Sequence, residues 1–169
     1  REALGEVLAF LKNHGHSKIL MPWPGASQRL HSNCIEIFMN AFNGLSQKAA
    51  EAMVPAVDIL SGKDWASFWS KALASKKPSC VIVGNGLEAV ALVSFCATRG
   101  ISIPQQISVF VLDGGELMEW FTPALAHLKM DDASEAKAFM QWVTNGYPDK
   151  GSIPTDYDLV PGASVAMLR

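Results

Sequence analysis

The sequence predicts an α/β fold, three layers deep, with a parallel sheet between two layers of helices. Three observations carry that reading. Short apolar runs such as Ser79–Val83 and Ile107–Leu112 alternate with longer helical segments, the rhythm of right-handed βαβ units. Ile107–Leu112 reads as buried on both faces, as strands of a parallel sheet are. The chain has 169 residues, 49% of them hydrophobic and 18% charged, enough for one domain with a sizeable core.

Taken in order, Leu4, Val7, Leu8 and Leu11 recur at helical spacing, and Gly15 stops that helix. Lys18–Met21 is a short strand closed by Pro22-Trp23-Pro24-Gly25. A helix follows over about Gln28–Leu45, with Leu30, Cys34, Ile35, Phe38, Ala41 and Phe42 on one face. Val57–Leu60 is a candidate strand, and Asp64 is the expected N-cap of a helix to about Ser75. Ser79–Val83 is a strand, Leu87–Thr98 a helix capped by Gly100, and Ile107–Leu112 the next strand. Leu125–Met130 reads as a strand and Ser134–Thr144 as an amphipathic helix. Pro148–Pro154 is a polar turn, with extended pieces at Tyr157–Val160 and Ser164–Leu168.

Composition narrows the function. The net charge is −2, and no block of Lys or Arg exceeds two in a row, which argues against a basic nucleic-acid face on this segment. Cys34, Cys80 and Cys96 are odd in number and sit in apolar runs, as reduced, packed thiols of a cytoplasmic protein do. No apolar run reaches transmembrane length, and no signal peptide is read. The chain opens inside a helical pattern without Met, so a fragment is expected. His14, His16, His31 and His127 have no metal-ligand spacing, and His16 reads as a loop residue bonding backbone. No nucleophile elbow, P-loop or zinc-protease motif is present, so no enzyme, metal or cofactor is expected.

Ligands of open α/β sheets bind at the carboxyl ends of the strands. Two such ends carry small or polar residues: Gly84-Asn85-Gly86 and Asp113-Gly114-Gly115. Gly84–Ala89 matches the G-x-G-x-x-A dinucleotide pattern, which keeps a nucleotide-dependent enzyme open as an alternative. Asn85 reads better as a small-ligand or turn residue. Asp113 reads either as a turn residue or as a carboxylate accepting hydrogen bonds from ligand hydroxyls. Phe68 and Trp69 read as core aromatics; Trp65, at a helix start, fits the core and a sugar-stacking surface equally well.

Five ordered blocks then resemble one family. G-H-S-K-I-L-M-P-W-P (15–24) looks like the start of the effector-binding core of the lactose/galactose-repressor family of bacterial transcriptional regulators. K-P-S-C-V-I-V-G-N-G-L-E-A (77–89), R-G-I-S-I-P-Q-Q-I-S-V-F-V-L-D (99–113), T-P-A-L-A-H-L-K-M-D (122–131) and L-V-P-G-A-S (159–164) follow that family's later blocks in order. The resemblance implies a type I periplasmic-binding-protein-like core of two lobes with a cleft between them. Residues 1–169 would form the second lobe, about 125–146 would cross to the first, and the DNA-binding domain would lie outside this chain. It implies a cytoplasmic ligand-sensing and dimerisation domain, with a carbohydrate-like effector, a homodimer, and operator DNA bound only through the absent domain. A transport-type periplasmic sugar-binding protein is the alternative within the fold. Carried over singly, Trp65, Asn85 and Asp113 become effector-site residues. Gly86 replaces the family's second Asp, and Cys34 stands where the family has an Arg. That leaves Arg29, more than a helical turn earlier, as the candidate replacement.

Overall fold

In the computed structural model, which describes residues 2–25, 27–58, 61–146 and 156–168, the strands form one five-stranded sheet. The elements run α1 (Glu2–Asn13), β1 (Ile19–Leu20), α2 (Gln28–Ala41), α3 (Gln47–Met53), α4 (Gly62–Lys76), β2 (Cys80–Val83), α5 (Gly86–Arg99), β3 (Ser108–Val111), a 3₁₀ turn (Glu116–Trp120), β4 (Ala126–Met130), α6 (Asp132–Thr144) and β5 (Tyr157–Val160). The strands lie in the order β1-β2-β3-β4-β5. The first four are parallel, and β5 returns antiparallel along β4. The expected parallel sheet is therefore mostly parallel, with one reversed edge strand.

Successive strand residues point to opposite faces, and both faces are buried. Ile19, Cys80, Ile82, Phe110, Ala126 and Leu128 join Leu8, Leu11 and Phe38 in a core beneath α1, α2 and α3. Leu20, Val81, Val83, Val109 and Val111 join Trp69, Leu92 and Phe95 beneath α4 and α5. These two cores lie on either face of the sheet and separate three layers. Gly100, at φ +66, ends α5 in the left-handed region and its N–H closes on the last turn, as expected of a glycine C-cap.

Four local expectations change. The helix from Gln28 ends at Ala41. Gly44 turns the chain at φ +82, and Ser46 caps a separate α3 with its side chain accepting from Ala49 N. α4 starts one turn earlier than expected: Ser61 is its N-cap, while Asp64 lies in the first turn and its carboxylate accepts the Ser61 hydroxyl at 2.8 Å. Val57 and Asp58 form no strand (Ile59 and Leu60 lie outside the described residues). The sheet is instead extended by an isolated parallel bridge, Trp23–Ala56, just upstream of that segment. Pro55 within that edge removes a backbone donor, so no regular ladder forms. Finally, Ser164–Leu168 makes no strand. The polar turn expected at Pro148–Pro154 falls outside the described residues.

The C-terminal segment closes the base of the sheet instead. Ser164 is fully buried between β3 and β4; its hydroxyl donates to Val109 O at 2.7 Å and accepts from Ala126 N at 2.8 Å. Gly162 passes so close to Ala124–Ala126 that an added Cβ would lie 2.4 Å from Ala126 N. His16, expected to bond backbone, does so: Nε2 donates to Ala166 O at 3.0 Å. That donation fixes the tautomer, leaving Nδ1 to accept from the Ser79 hydroxyl at 3.0 Å. Burial pulls the His16 pKa below its ordinary value.

The strand expected at Leu125–Met130 is β4, and it sits inside this sheet with Ala126, His127 and Leu128 buried. Only beyond it does the chain leave the core. No described side chain of α6 is buried, and Phe139 and Met140 are largely exposed.

Candidate functional site

β1 lies between the irregular edge at Trp23–Ala56 and β2, so the chain reverses its winding direction at β1. A crevice opens at such a switch point, at the carboxyl ends of the strands. The loops that reach it are Pro22–Gly25, Gly84–Gly86 and Asp113–Gly115. The first turns of α2, α4 and α5 reach it too, with their N–H groups directed toward the crevice.

Register sets two of the expected residues side by side. Val83 pairs with Val111, and Asn85 and Asp113 each stand two residues further along their neighbouring strands. Asp113 is exposed and has no hydrogen-bond partner among the described residues. Its turn is tight. A Cβ on Gly114 would lie 2.3 Å from Met118 Cγ and 2.7 Å from His127 Cβ, and Gly115 adopts φ +55. Only glycine fits at 114, where the close neighbours fill the space of a side chain, and 115 needs the left-handed region.

Asn85 is committed locally. It caps α5, its Oδ1 accepting from Glu88 N and its Nδ2 donating to Glu88 Oε1, each at 3.1 Å. Glu88 Oε2 accepts from Gly84 N at 2.8 Å. The Gly84–Glu88 segment is thus a capping box. Glu88 is 7% exposed, and burial pushes its carboxyl above the usual range against the pull of the Gly84 and Asn85 hydrogen bonds. A pyrophosphate at this helix terminus would have to displace that carboxylate and its charge, which argues against the dinucleotide alternative. Sequence reasoning passes over Glu88, although the N-x-x-E spacing after a strand is the signal for it.

Trp65 is 8% exposed and belongs to the core beneath α4. It stacks on Trp69 at 5.2 Å and 9° and meets the edge of Phe68 at 5.9 Å. Arg29 lies exposed in the first turn of α2, which Ser27 caps, on the same edge of the sheet. The structure therefore sets Asn85 and Asp113 on the ends of neighbouring strands, leaves Arg29 exposed in the first turn of α2, and buries Trp65 in the core.

One further aromatic escapes the sequence reading. Trp23, three residues beyond β1, lies parallel to the His31 ring at 6.2 Å and 16°. The indole N–H is buried without an acceptor among the described residues, and Gly25 runs against its ring. The signal for it is a tryptophan between prolines at a strand's carboxyl end. Among the described residues no group of three His, Cys, Asp or Glu is placed to hold a metal, and no helix is long and apolar enough to cross a membrane.

The chain matches the model of the periplasmic binding protein-like domain over residues 8–165. No curated protein matches it. Solved structures do match in fold. A LacI-family sugar-binding transcriptional regulator from Escherichia coli, complexed with phosphate, is 16% identical with a TM-score of 0.73, covering 99% of this chain and 61% of its own. A putative LacI transcriptional regulator from Bacillus cereus subsp. cytotoxis NVH 391-98 gives 17%, 0.75, 99% and 61%. A LacI-family regulator from Lactobacillus casei with bound glucose gives 20%, 0.71, 96% and 62%. The chain spans about three fifths of these proteins.

Proposed function

The chain belongs to the periplasmic binding protein-like domain family, and from that premise we propose that it is the ligand-sensing and dimerisation lobe of a cytoplasmic bacterial transcriptional regulator. The lobe would take a small carbohydrate-like molecule against the carboxyl ends of β1, β2 and β3. A first lobe would cover the other side of that molecule, and a separate domain would bind operator DNA. The single observation that carries the reading is Asp113. It is an exposed carboxylate with no hydrogen-bond partner among the described residues, held at the carboxyl end of β3 by a turn that only glycines can make. Such a group accepts hydrogen bonds from ligand hydroxyls. Asn85 would add its amide while loosening the α5 cap. Arg29 would reach in from α2, and Trp65 would act as a rigid floor held by Trp69.

Two unsatisfied surfaces support the division of labour. α6 buries none of its described side chains, which fits a segment that crosses to the first lobe from Asp131 onward. Leu87 is 80% exposed and Trp120 84%, and Val90 and Leu117 on the same two elements are exposed as well. A Cβ on Gly86 would lie 3.8 Å from Leu117 Cδ2, which sets the 3₁₀ turn against the start of α5, so the exposed apolar side chains of these two elements lie on one side of the lobe. An apolar surface of this kind marks an interface, and we assign it to a second copy of the chain.

Effector would favour one lobe arrangement and shift the population of DNA-binding dimers. The test uses the full-length protein and a panel of monosaccharides, with operator release and tryptophan emission as readouts. Asp113→Ala should abolish the response while DNA binding persists. A normal response in that variant overturns the site, and a monomeric protein overturns the dimer.

A further inference from the structure

The outer edge of β1 carries a second opening. β1 pairs with β2 along one side, and Cys80 N donates to Lys18 O. Ladder alternation then turns the Ile19 N–H and C=O toward the outer edge. The irregular edge strand joins β1 only from Met21, whose N–H donates to Met53 O at 2.8 Å. Ile19 is 2% exposed, yet its outward N–H has no acceptor among the described residues. A buried backbone donor without a partner is rare and costly.

A groove of about 340 Å³ lies over that donor. Ile19, Ala49, Ala52 and Met53 give it apolar walls, Lys18 and Lys76 stand on its rim, and no carboxylate lines it. The Lys76 ammonium donates to Ala52 O, which uses one of its three N–H groups. Burial lowers the Lys76 pKa, and neither lysine has an ion-pair partner among the described residues. The groove thus combines an orphaned N–H, two unpaired cations and an apolar floor, at a size that small-molecule sites adopt.

We propose that this groove binds the carboxylate of an amphipathic small molecule, its head between Lys18, Lys76 and Ile19 N–H and its apolar body along α3. The site lies on the outer edge of β1, away from the strand that carries Asp113, and does not depend on what the cleft binds.

Octanoate, octanol and acetate are the probes, titrated calorimetrically into the full-length protein below micellar concentrations. Octanoate should bind saturably at one site per chain, with octanol and acetate each at least about tenfold weaker, the scale of one charge-assisted hydrogen bond. Lys76→Met keeps the aliphatic stem and should weaken octanoate about tenfold. Ala52→Phe fills the groove from an exposed position and should abolish binding. Asp113→Ala should leave the affinity unchanged, which separates this site from the cleft. Octanoate binding that does not saturate, that octanol equals, or that survives Ala52→Phe in a folded variant overturns the proposal.

Discussion

The two ends of the sheet use polar residues in opposite ways. At the base, beside Val109 and Ala126, the polar side chains of the C-terminal clasp are satisfied inside the protein. Ser164 bridges β3 to β4, and His16 joins Ser79 to Ala166. At the carboxyl ends Asp113 is left open, and Asn85 is shared between a cap and solvent. The base commits its polar groups to stability, whereas the other end holds one in reserve. The difference separates the two ends better than polarity does, because polar groups are present at both ends and only their partners differ.

Substitutions should separate the two ends by size of effect. Gly162→Ala drives a methyl into the Leu125–Ala126 backbone, which cannot yield as a flexible side chain can. Urea denaturation should show a loss of about 3 kcal/mol or more, and a loss below about 1 kcal/mol would break the picture of a sealed base. Ser164→Ala removes two hydrogen bonds and leaves Val109 O and Ala126 N buried and unpaired. The same measurement should give about 2–3 kcal/mol.

Asn85→Ala removes the α5 cap and should cost about 1 kcal/mol as well as any ligand contact. Asp113→Ala should move stability by less than about 0.5 kcal/mol and still remove effector response. If Asp113→Ala destabilises as much as Asn85→Ala, the carboxylate has a structural partner and the contrast between the ends fails.

Acid should act on the base as well. His16 is held neutral in the fold with a pKa below its unfolded value of 6.5. The unfolded chain therefore binds more protons between those two values. Its contribution to stability is full above about pH 6.5 and is lost as pH falls through the lowered folded value. Thermal melts from pH 7.5 to 5 should show this decline, with a shallower slope for His16→Gln.

Much of the architecture is legible in short stretches. The strands Cys80–Val83, Ser108–Val111 and Ala126–Met130, and the helix capped by Gly100, follow from apolar period and one glycine. α3 is not legible, because Q-K-A-A-E-A-M carries no apolar stripe; its one buried residue is Ala50. Asp64 is a good N-cap by type, yet Ser61 lies three residues earlier, caps α4 itself and forms a reciprocal pair with it. In the candidate site, Asn85 and Asp113 are legible as polar ends of apolar runs. Glu88 and Trp23 are not, since their roles rest on a folded-back carboxylate and on packing against His31.

By itself the sequence determined the alternation of strands and helices, most helix ends, and which strand ends carry polar residues. All of these depend on interactions within a few positions, where 2.0 and 3.6 periodicities and caps operate. Tertiary structure alone decided which polar atoms are satisfied. His16 finds one partner 63 residues away and another 150 residues away, and no local pattern encodes either. The same long-range closure left Asp113 and the outer edge of β1 without partners among the described residues.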